Sequence, residues 1–285
     1  MEGKSKHIGS LSGKVLVFGG AYSNLQALKQ LKNIAEEQGI SAQNVINTGD
    51  VVGYCAQPQE CLDLVRTWGI HSIAGNVEMQ VRDDKEDCGC NFNEESRCDL
   101  FSKQWYPYAL AHVNEATKQW LNSWPDFLRF DYAGKSVIVL HGSFLDTSEF
   151  IFRSTPWETK QKNFEATDAD VILAGHCGLP FGDSKEGKHW LNAGVIGMPA
   201  NDGTTRVWYM ILDDTNGVSF THQSFEYDHE TAATLMRENN LPASYAKTLG
   251  DGLWDNCEIL PEQETREQGK RFEIFRADEE VGSKN

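Results

Sequence analysis

The stretch VINTGD, residues 45–50, is a short β-branched run that ends in Gly-Asp. Before it come the apolar run KVLVF (14–18) and a segment, 24–37, whose apolar residues recur at helical spacing. After it come a helical segment at 58–68 and a third apolar run, 70–74, that leads into Gly-Asn. This β-α-β-α-β order predicts a largely parallel, layered sheet and an α/β fold.

The remainder of the chain is predicted to be less regular. Residues 83–98 are charged and rich in Gly and Asn, which predicts an inserted loop, and polar residues at the C-terminus predict a poorly ordered tail of about 25 residues. Helices are expected at 100–111, at 114–123 and from residue 228, and strands at 127–132, 136–140, 171–174, 190–191, 207–212 and 218–225. We therefore divide the chain into one domain at 1–227, with an insertion at about 83–125, and a helical extension and tail at 228–285 packed on the same domain.

Composition limits the classes of function. The 285 residues carry a net charge of -16, which disfavours nucleic acid as a partner. No apolar run is long enough to span a bilayer, and the N-terminal segment lacks the apolar core of a signal peptide. We therefore expect a cytoplasmic protein without a membrane partner, and the sequence leaves a homo-oligomer open.

The chain has seven cysteines, and the odd number argues against a disulfide framework in a protein without an export signal. Three of them, Cys88, Cys90 and Cys98, lie close together. They are either reduced loop thiols or part of a metal or redox site, although their spacing lacks the paired C-x2-C of a typical zinc site. Their loop follows Asn76 closely enough to be a lid over a pocket.

Four side chains that can bind a metal follow four predicted strands: Asp50, Asn76, His141 and His176. Ligands of open α/β sheets gather at the carboxyl ends of the strands, so we expect the four to converge. Taken singly, each has an ordinary structural explanation as a cap, a turn residue or a hydrogen-bonded histidine. Together they make a mixed nitrogen and oxygen set, which suits Mn, Fe, Zn, Ni or Co better than Ca or Cu(I).

The order of the short blocks TGD, AGN, LHGS and AGH resembles that of the calcineurin-like metallophosphoesterases, in particular their bacterial predicted-phosphodiesterase branch. The family pattern is D-x-H, G-D, G-N-H-[DE], H and G-H-x-H, each block closing a strand of a layered α/β/β/α sandwich. The resemblance spans roughly residues 14–212 and includes NLQAL and NAGVIGMPANDG. It implies the same sandwich in this chain.

The resemblance also implies which ligands are present. One family metal takes the aspartate of G-D, the asparagine, the lone histidine and the first histidine of G-H-x-H. These fall on the four residues that follow the predicted strands, Asp50, Asn76, His141 and His176. One divalent transition metal is therefore expected.

The ligands of the second family metal are largely replaced. The D-x-H pair falls on Gly20 and Tyr22, and the second histidine of G-H-x-H falls on Gly178. The histidine of G-N-H, which assists catalysis in the family, falls on Val77. The resemblance thus implies a two-metal site reduced to one metal.

Two hypotheses about function follow. The first is a divergent hydrolase that acts with one metal on a phosphate ester or a related small substrate. The second is an inactive pseudo-phosphoesterase that binds a metal, a ligand or a regulatory partner.

Further candidate site residues could compensate for the missing groups. Glu78 is a candidate base, or a solvated acid near a helix start. Tyr22 is a candidate donor to a phosphoryl oxygen, or packs into the space of the lost metal. Cys177 is a candidate soft ligand or nucleophile, or a small buried residue. Asn24 is an additional candidate beside the site.

Overall fold

Two β-sheets organise the computed structural model, which describes residues 3–90 and 92–273. The described strands, in chain order, are β1 (Ser5–Leu11), β2 (Val15–Phe18), β3 (Val45–Asn47), β4 (His71–Ser72), β5 (Phe127–Tyr132), β6 (Lys135–Val139), β7 (Val171–Ala174), β8 (Pro180–Lys185), β9 (Lys188–Ala193), β10 (Val207–Asp213) and β11 (Ser219–Phe225). The described α-helices are α1 (Leu25–Glu37), α2 (Pro58–Trp68), α3 (Asn76–Arg82), α4 (Arg97–Ala111), α5 (Glu115–Leu121), α6 (Trp157–Thr167), α7 (His229–Glu238), α8 (Ala243–Asp251) and α9 (Glu262–Thr265).

The strand order explains how the site residues come together. One sheet has the order β1-β5-β6-β7-β9-β8 and the other the order β11-β10-β2-β3-β4. Strands β2, β3 and β4 are parallel to one another, as are β6, β7 and β9. Each parallel set therefore ends at one edge of its sheet, and the candidate ligands follow these ends.

The alternation of side chains along the strands makes the layers. Val15 and Val17 of β2 pack between the sheets with Val137 and Val139 of β6. The intervening residues point outward, toward α1, α2, α7 and α8 on one side and toward α6 on the other. Because both faces of these strands are covered, the strands are apolar throughout, as expected of parallel sheets. The predicted α/β/β/α sandwich is confirmed.

The structure contains elements that the sequence analysis missed, among them β1, β8 and α6. Strand β1 is mostly exposed and buries no apolar face. Its backbone pairing with β5 holds it in the sheet. Strand β8 pairs antiparallel with β9. Helix α6 buries Lys160 and Asn163, so its inner face shows no apolar periodicity. Propensity and pattern could not reveal an element whose partners are polar or distant.

The C-terminal part packs on the layers already described. Ala232 and Met236 of α7 and Ala246 and Leu249 of α8 join the apolar cluster that contains α1. Of the tail that was expected to lack order, residues 261–273 include α9, and 274–285 lie outside the described residues. Among the described residues, no helix is both long and apolar enough to cross a bilayer.

Candidate metal centre

The four residues that follow the strands converge on one buried point. His141 Nε2 lies 3.0 Å from Asn76 Oδ1, 3.2 Å from Asp50 Oδ2 and 3.2 Å from His176 Nδ1. The donor atoms of Asp50, His141 and His176 all lie within 4.8 Å of one another. All four side chains are buried. The structure therefore brings together the residues that were expected to meet.

Two glycines allow this close approach. A Cβ at Gly75 would lie 2.2 Å from Asp50 Oδ1, and a Cβ at Gly49 would lie 2.7 Å from His141 Nδ1. Gly49 itself has φ 95°, and Asp50 and His176 have left-handed φ angles of 58° and 61°. Such conformations are costly for residues with side chains, so the surrounding structure must hold them. The Gly-Asp and Gly-Asn pairs are thus required by the geometry of the site.

The orientation of His141 is set from behind the site. Its Nδ1 lies 2.7 Å from the Thr48 carbonyl oxygen, which can only accept, so Nδ1 carries the proton and donates. The lone pair of Nε2 in the neutral ring then faces the oxygens of Asp50 and Asn76, which are also acceptors. These atoms need a positive charge between them, which is either a proton on Nε2 or a metal ion. A set made of a carboxylate, an amide oxygen and two imidazoles suits a divalent transition metal, so the residues fit one.

Without a cation, the site shifts the acidities of its histidines in opposite directions. Burial alone would lower the pKa of His141, but the Asp50 carboxylate and the Thr48 carbonyl raise it above its ordinary value. Burial and the neighbouring His141 lower the pKa of His176 to about 3. His176 therefore remains neutral and available as a ligand through the physiological range.

A segment that sequence reasoning assigned to a loop orients Asn76. Its Nδ2 donates to the Cys88 carbonyl oxygen at 2.8 Å and to Cys90 Sγ at 3.2 Å, which turns Oδ1 toward His141. Cys88, Cys90 and Cys98 are each at most 8% exposed. Burial raises the pKa of Cys90, which disfavours a thiolate. Among the described residues, Cys88 and Cys90 orient Asn76, and all three cysteines are packed in the interior. The sequence signal for this role is that the cysteines follow Asn76 closely along the chain.

Glu78 lies behind the site and binds the backbone that carries Asp50. Its carboxylate accepts from the backbone N–H groups of Asp50, Val52 and Gly75 at 2.8, 2.9 and 2.9 Å. Burial and the Asp50 charge raise its pKa to about 7. The side chain is fully buried, so the expectation of a solvated acid is wrong. This geometry indicates a positioning role and gives the role of base no support.

The Tyr22 ring fills the space in front of Gly20. A Cβ at Gly20 would lie 2.3 Å from Tyr22 Cε1, and one at Gly53 would lie 2.9 Å from Tyr22 Cδ1. The ring packs edge-on against Tyr54 with a centroid distance of 4.6 Å. Burial and the Asp50 charge raise the Tyr22 pKa well above its ordinary value, so the phenol keeps its proton. Tyr22 thus packs as one hypothesis expected, and it also lines the pocket beside Asp50.

The two remaining candidates have structural partners. Asn24 caps α1 by accepting from the Ala27 N–H at 3.2 Å, and its Nδ2 donates to the Gly197 carbonyl and to Tyr227 Oη. Cys177 is 1% exposed and accepts from Asn192 Nδ2 at 3.2 Å. Burial raises the Cys177 pKa to about 12, which argues against a nucleophilic thiolate.

Known proteins share both the sequence pattern and the fold. A family model for the calcineurin-like phosphoesterase superfamily domain matches residues 14–217. An uncharacterised protein of Methanocaldococcus jannaschii is 27% identical over 259 residues, which cover 84% of this chain and 97% of that protein.

Solved structures resemble the whole layered domain. A metallophosphoesterase from Sphaerobacter thermophilus has a TM-score of 0.66 at 22% identity, over 85% of this chain and 100% of that one. A hypothetical protein from Pyrococcus horikoshii has a TM-score of 0.67 at 19% identity, over 85% of this chain and 99% of that one. Likeness at this identity shows a shared fold.

Proposed function

Because the chain belongs to the calcineurin-like phosphoesterase superfamily, we propose that it is a divergent hydrolase that acts with one divalent transition metal on a phosphate ester or related small substrate. The observation that carries this proposal is the convergence of four ligand atoms, from a carboxylate, an amide and two imidazoles, on one buried point.

The metal ligands would be Asp50, Asn76, His141 and His176, and the metal would be Mn, Fe, Zn, Ni or Co. When bound, such an ion supplies Lewis-acid polarisation of a phosphoryl oxygen and a water acidified toward neutrality. Thr48 and the backbone of Cys88 would hold two of the ligands in orientation. Such outer partners are worth roughly 10–100-fold in metal affinity.

Two features support one metal. Among residues 3–90 and 92–273, the His, Cys, Asp and Glu side chains form one group of three or more with converging donor atoms. The Tyr22 ring also occupies the space in front of Gly20. The protonated Tyr22 phenol at the pocket wall would be a hydrogen-bond donor to a phosphoryl oxygen.

Metal analysis together with a panel of phosphate monoesters and diesters tests the proposal. We expect one equivalent of metal in the wild type after separate loading with each candidate ion, and turnover of at least one ester. Asp50→Ala and His141→Ala should lose both, whereas His112→Ala, at an exposed position, should lose neither. Two equivalents would contradict the single site. Metal binding without turnover of any ester would instead favour the pseudoenzyme.

A further inference from the structure

A pocket with aromatic walls opens beside the metal centre. Its cavity volume is about 70 Å3, and it reaches from Asp50 and His176 to the segment that follows α8. Six rings line it: Tyr22, Tyr54, Phe92, Phe150, Tyr245 and Trp254. The loops after β2, β3 and β6, the loop before α4, helix α8 and the segment after it all contribute rings, so the pocket is built by distant parts of the chain.

Two sets of ring contacts line the pocket, and one of them includes the ligand His176. Phe150 lies over His176 with a centroid distance of 4.2 Å. Tyr54 contacts Tyr22 at 4.6 Å and Tyr245 at 4.9 Å, both edge-on. These contacts hold the walls in place before any ligand arrives, which lowers the entropic cost of binding.

Trp254 closes the opposite side of the pocket. Its indole Nε1 donates to the Pro199 carbonyl at 2.8 Å, and its backbone N–H donates to Asn201 Oδ1 at 2.8 Å. Gly178 keeps this side open, since a Cβ there would lie 3.3 Å from the Trp254 ring. The indole nitrogen is thus satisfied, and the carbon face remains available for stacking.

The charges of the lining determine what the pocket can accept. The described lining contains no Lys or Arg, and its carboxylates are Asp50, at the metal centre, and Asp255, which pairs with Arg97. A second anionic group of a ligand would find no counter-charge here. An uncharged planar ring would find several aromatic faces and edges.

We infer that this pocket binds an uncharged aromatic group of the substrate, while the phosphoryl group of the same molecule lies at the metal centre. The part of this inference that concerns the phosphoryl group rests on the proposed function, and the part that concerns the ring does not. Burial of one ring is worth roughly 1.5–3 kcal/mol, which corresponds to about 10–150-fold in affinity.

Calorimetric titration with two phosphonates tests the inference. On metal-loaded protein, benzylphosphonate should bind at least about 10-fold more tightly than methylphosphonate. Trp254→Ala should bring the ratio of the two affinities toward one, and Trp254→Phe should largely restore it. Trp120→Ala, which removes an indole outside this pocket, should leave the ratio unchanged. Equal affinities in the wild type, or an unchanged ratio in Trp254→Ala, would overturn the inference.

A metal-free measurement separates the two proposals. Saturation-transfer NMR should show that benzyl alcohol binds to the metal-free protein and binds more weakly to Trp254→Ala. Adenosine is a second probe in the same experiment and distinguishes a preference for a nucleobase from a preference for a simple aryl group. If benzyl alcohol binds but neither phosphonate does, the pocket stands and the metal centre fails. If the phosphonates bind equally and benzyl alcohol does not bind, the metal centre stands and the pocket inference is wrong.

Discussion

The ring of Tyr22 occupies the space that a side chain at position 20 would need, so Tyr22 and Gly20 depend on each other. We expect Gly20→Ala to lower the free energy of unfolding by about 1–3 kcal/mol, since the ring of Tyr22 must move. In a Tyr22→Ala background the same substitution should cost much less. A double-mutant cycle measured by urea unfolding gives the coupling between the two. Additive effects would show that the ring does not depend on Gly20.

The residues of the site differ in how far the sequence could predict them. Asp50, His141 and His176 were predictable, because each follows a strand of apolar residues. The orientation of Asn76 was not, since it depends on the backbone of Cys88, whose position no local pattern specifies. Glu78 was misjudged because a carboxylate at a helix start is usually solvated, whereas here three backbone donors compensate its burial.

At the scale of elements, the loop of residues 83–96 between α3 and α4, called the cysteine loop here, connects the site to the opposite sheet. Ser148 Oγ donates to the Gly89 carbonyl, which fixes the loop against the segment that follows β6. We expect Ser148→Ala to increase hydrogen exchange across residues 83–90 and to weaken metal binding severalfold, because Asn76 loses a fixed partner.

The matched control for this prediction is Ser154→Ala, which removes a hydroxyl that donates to Glu264 away from the cysteine loop. It should leave exchange in residues 83–90 unchanged. Faster exchange in Ser148→Ala with unaltered metal affinity would show that the loop does not determine the orientation of Asn76.

The clearest of the strands that the sequence predicted, β2, β3 and β7, have side chains that are covered on both faces. The runs at β2, β3 and β7 are entirely buried, so β-branched and apolar residues dominate them. Strand β1 and helix α6 lack that signal. The first is an exposed strand held by backbone pairing, and the second buries the Lys160 ammonium beside Asp183. Polar burial of this kind depends on a partner in another element and cannot be seen in a local window.

At the scale of the whole molecule, the layered architecture was predictable and the closure of the pocket was not. The β-α-β-α-β order predicted the layered sheet, and the resemblance in the order of the metal blocks implied the sandwich. The C-terminal wall depends on contacts between segments far apart in the chain. Trp254 binds the Pro199 carbonyl, and Gln268 Nε2 donates to Asn201 Oδ1. No periodicity links such residues, so sequence reasoning could place α7 but neither α8 nor the wall that follows it.

A buried histidine joins the two sheets and should make the sandwich sensitive to acid. His222 of β11 donates from Nε2 to the Asn192 carbonyl of β9 at 2.7 Å, and burial lowers its pKa to about 4, against about 6.5 in the unfolded chain. The unfolded state therefore binds the proton more readily, so the contribution of His222 to stability is complete above about pH 6.5 and is lost as the pH falls toward 4. Between about pH 7 and pH 5 the loss should be roughly 2 kcal/mol.

Urea unfolding at both pH values, for the wild type and for His222→Gln, isolates this contribution. The glutamine amide can still donate to the Asn192 carbonyl but does not titrate, so the variant should lose roughly 2 kcal/mol less than the wild type on acidification. His112→Gln, at an exposed position, should follow the wild type. Glu78 partly offsets this loss of stability on acidification, because its raised pKa favours the folded state at lower pH. This contribution is the same in the wild type and in both variants, so it does not affect the comparison. If His222→Gln loses stability as steeply as the wild type, then another group, and not the histidine between the sheets, makes the sandwich sensitive to acid.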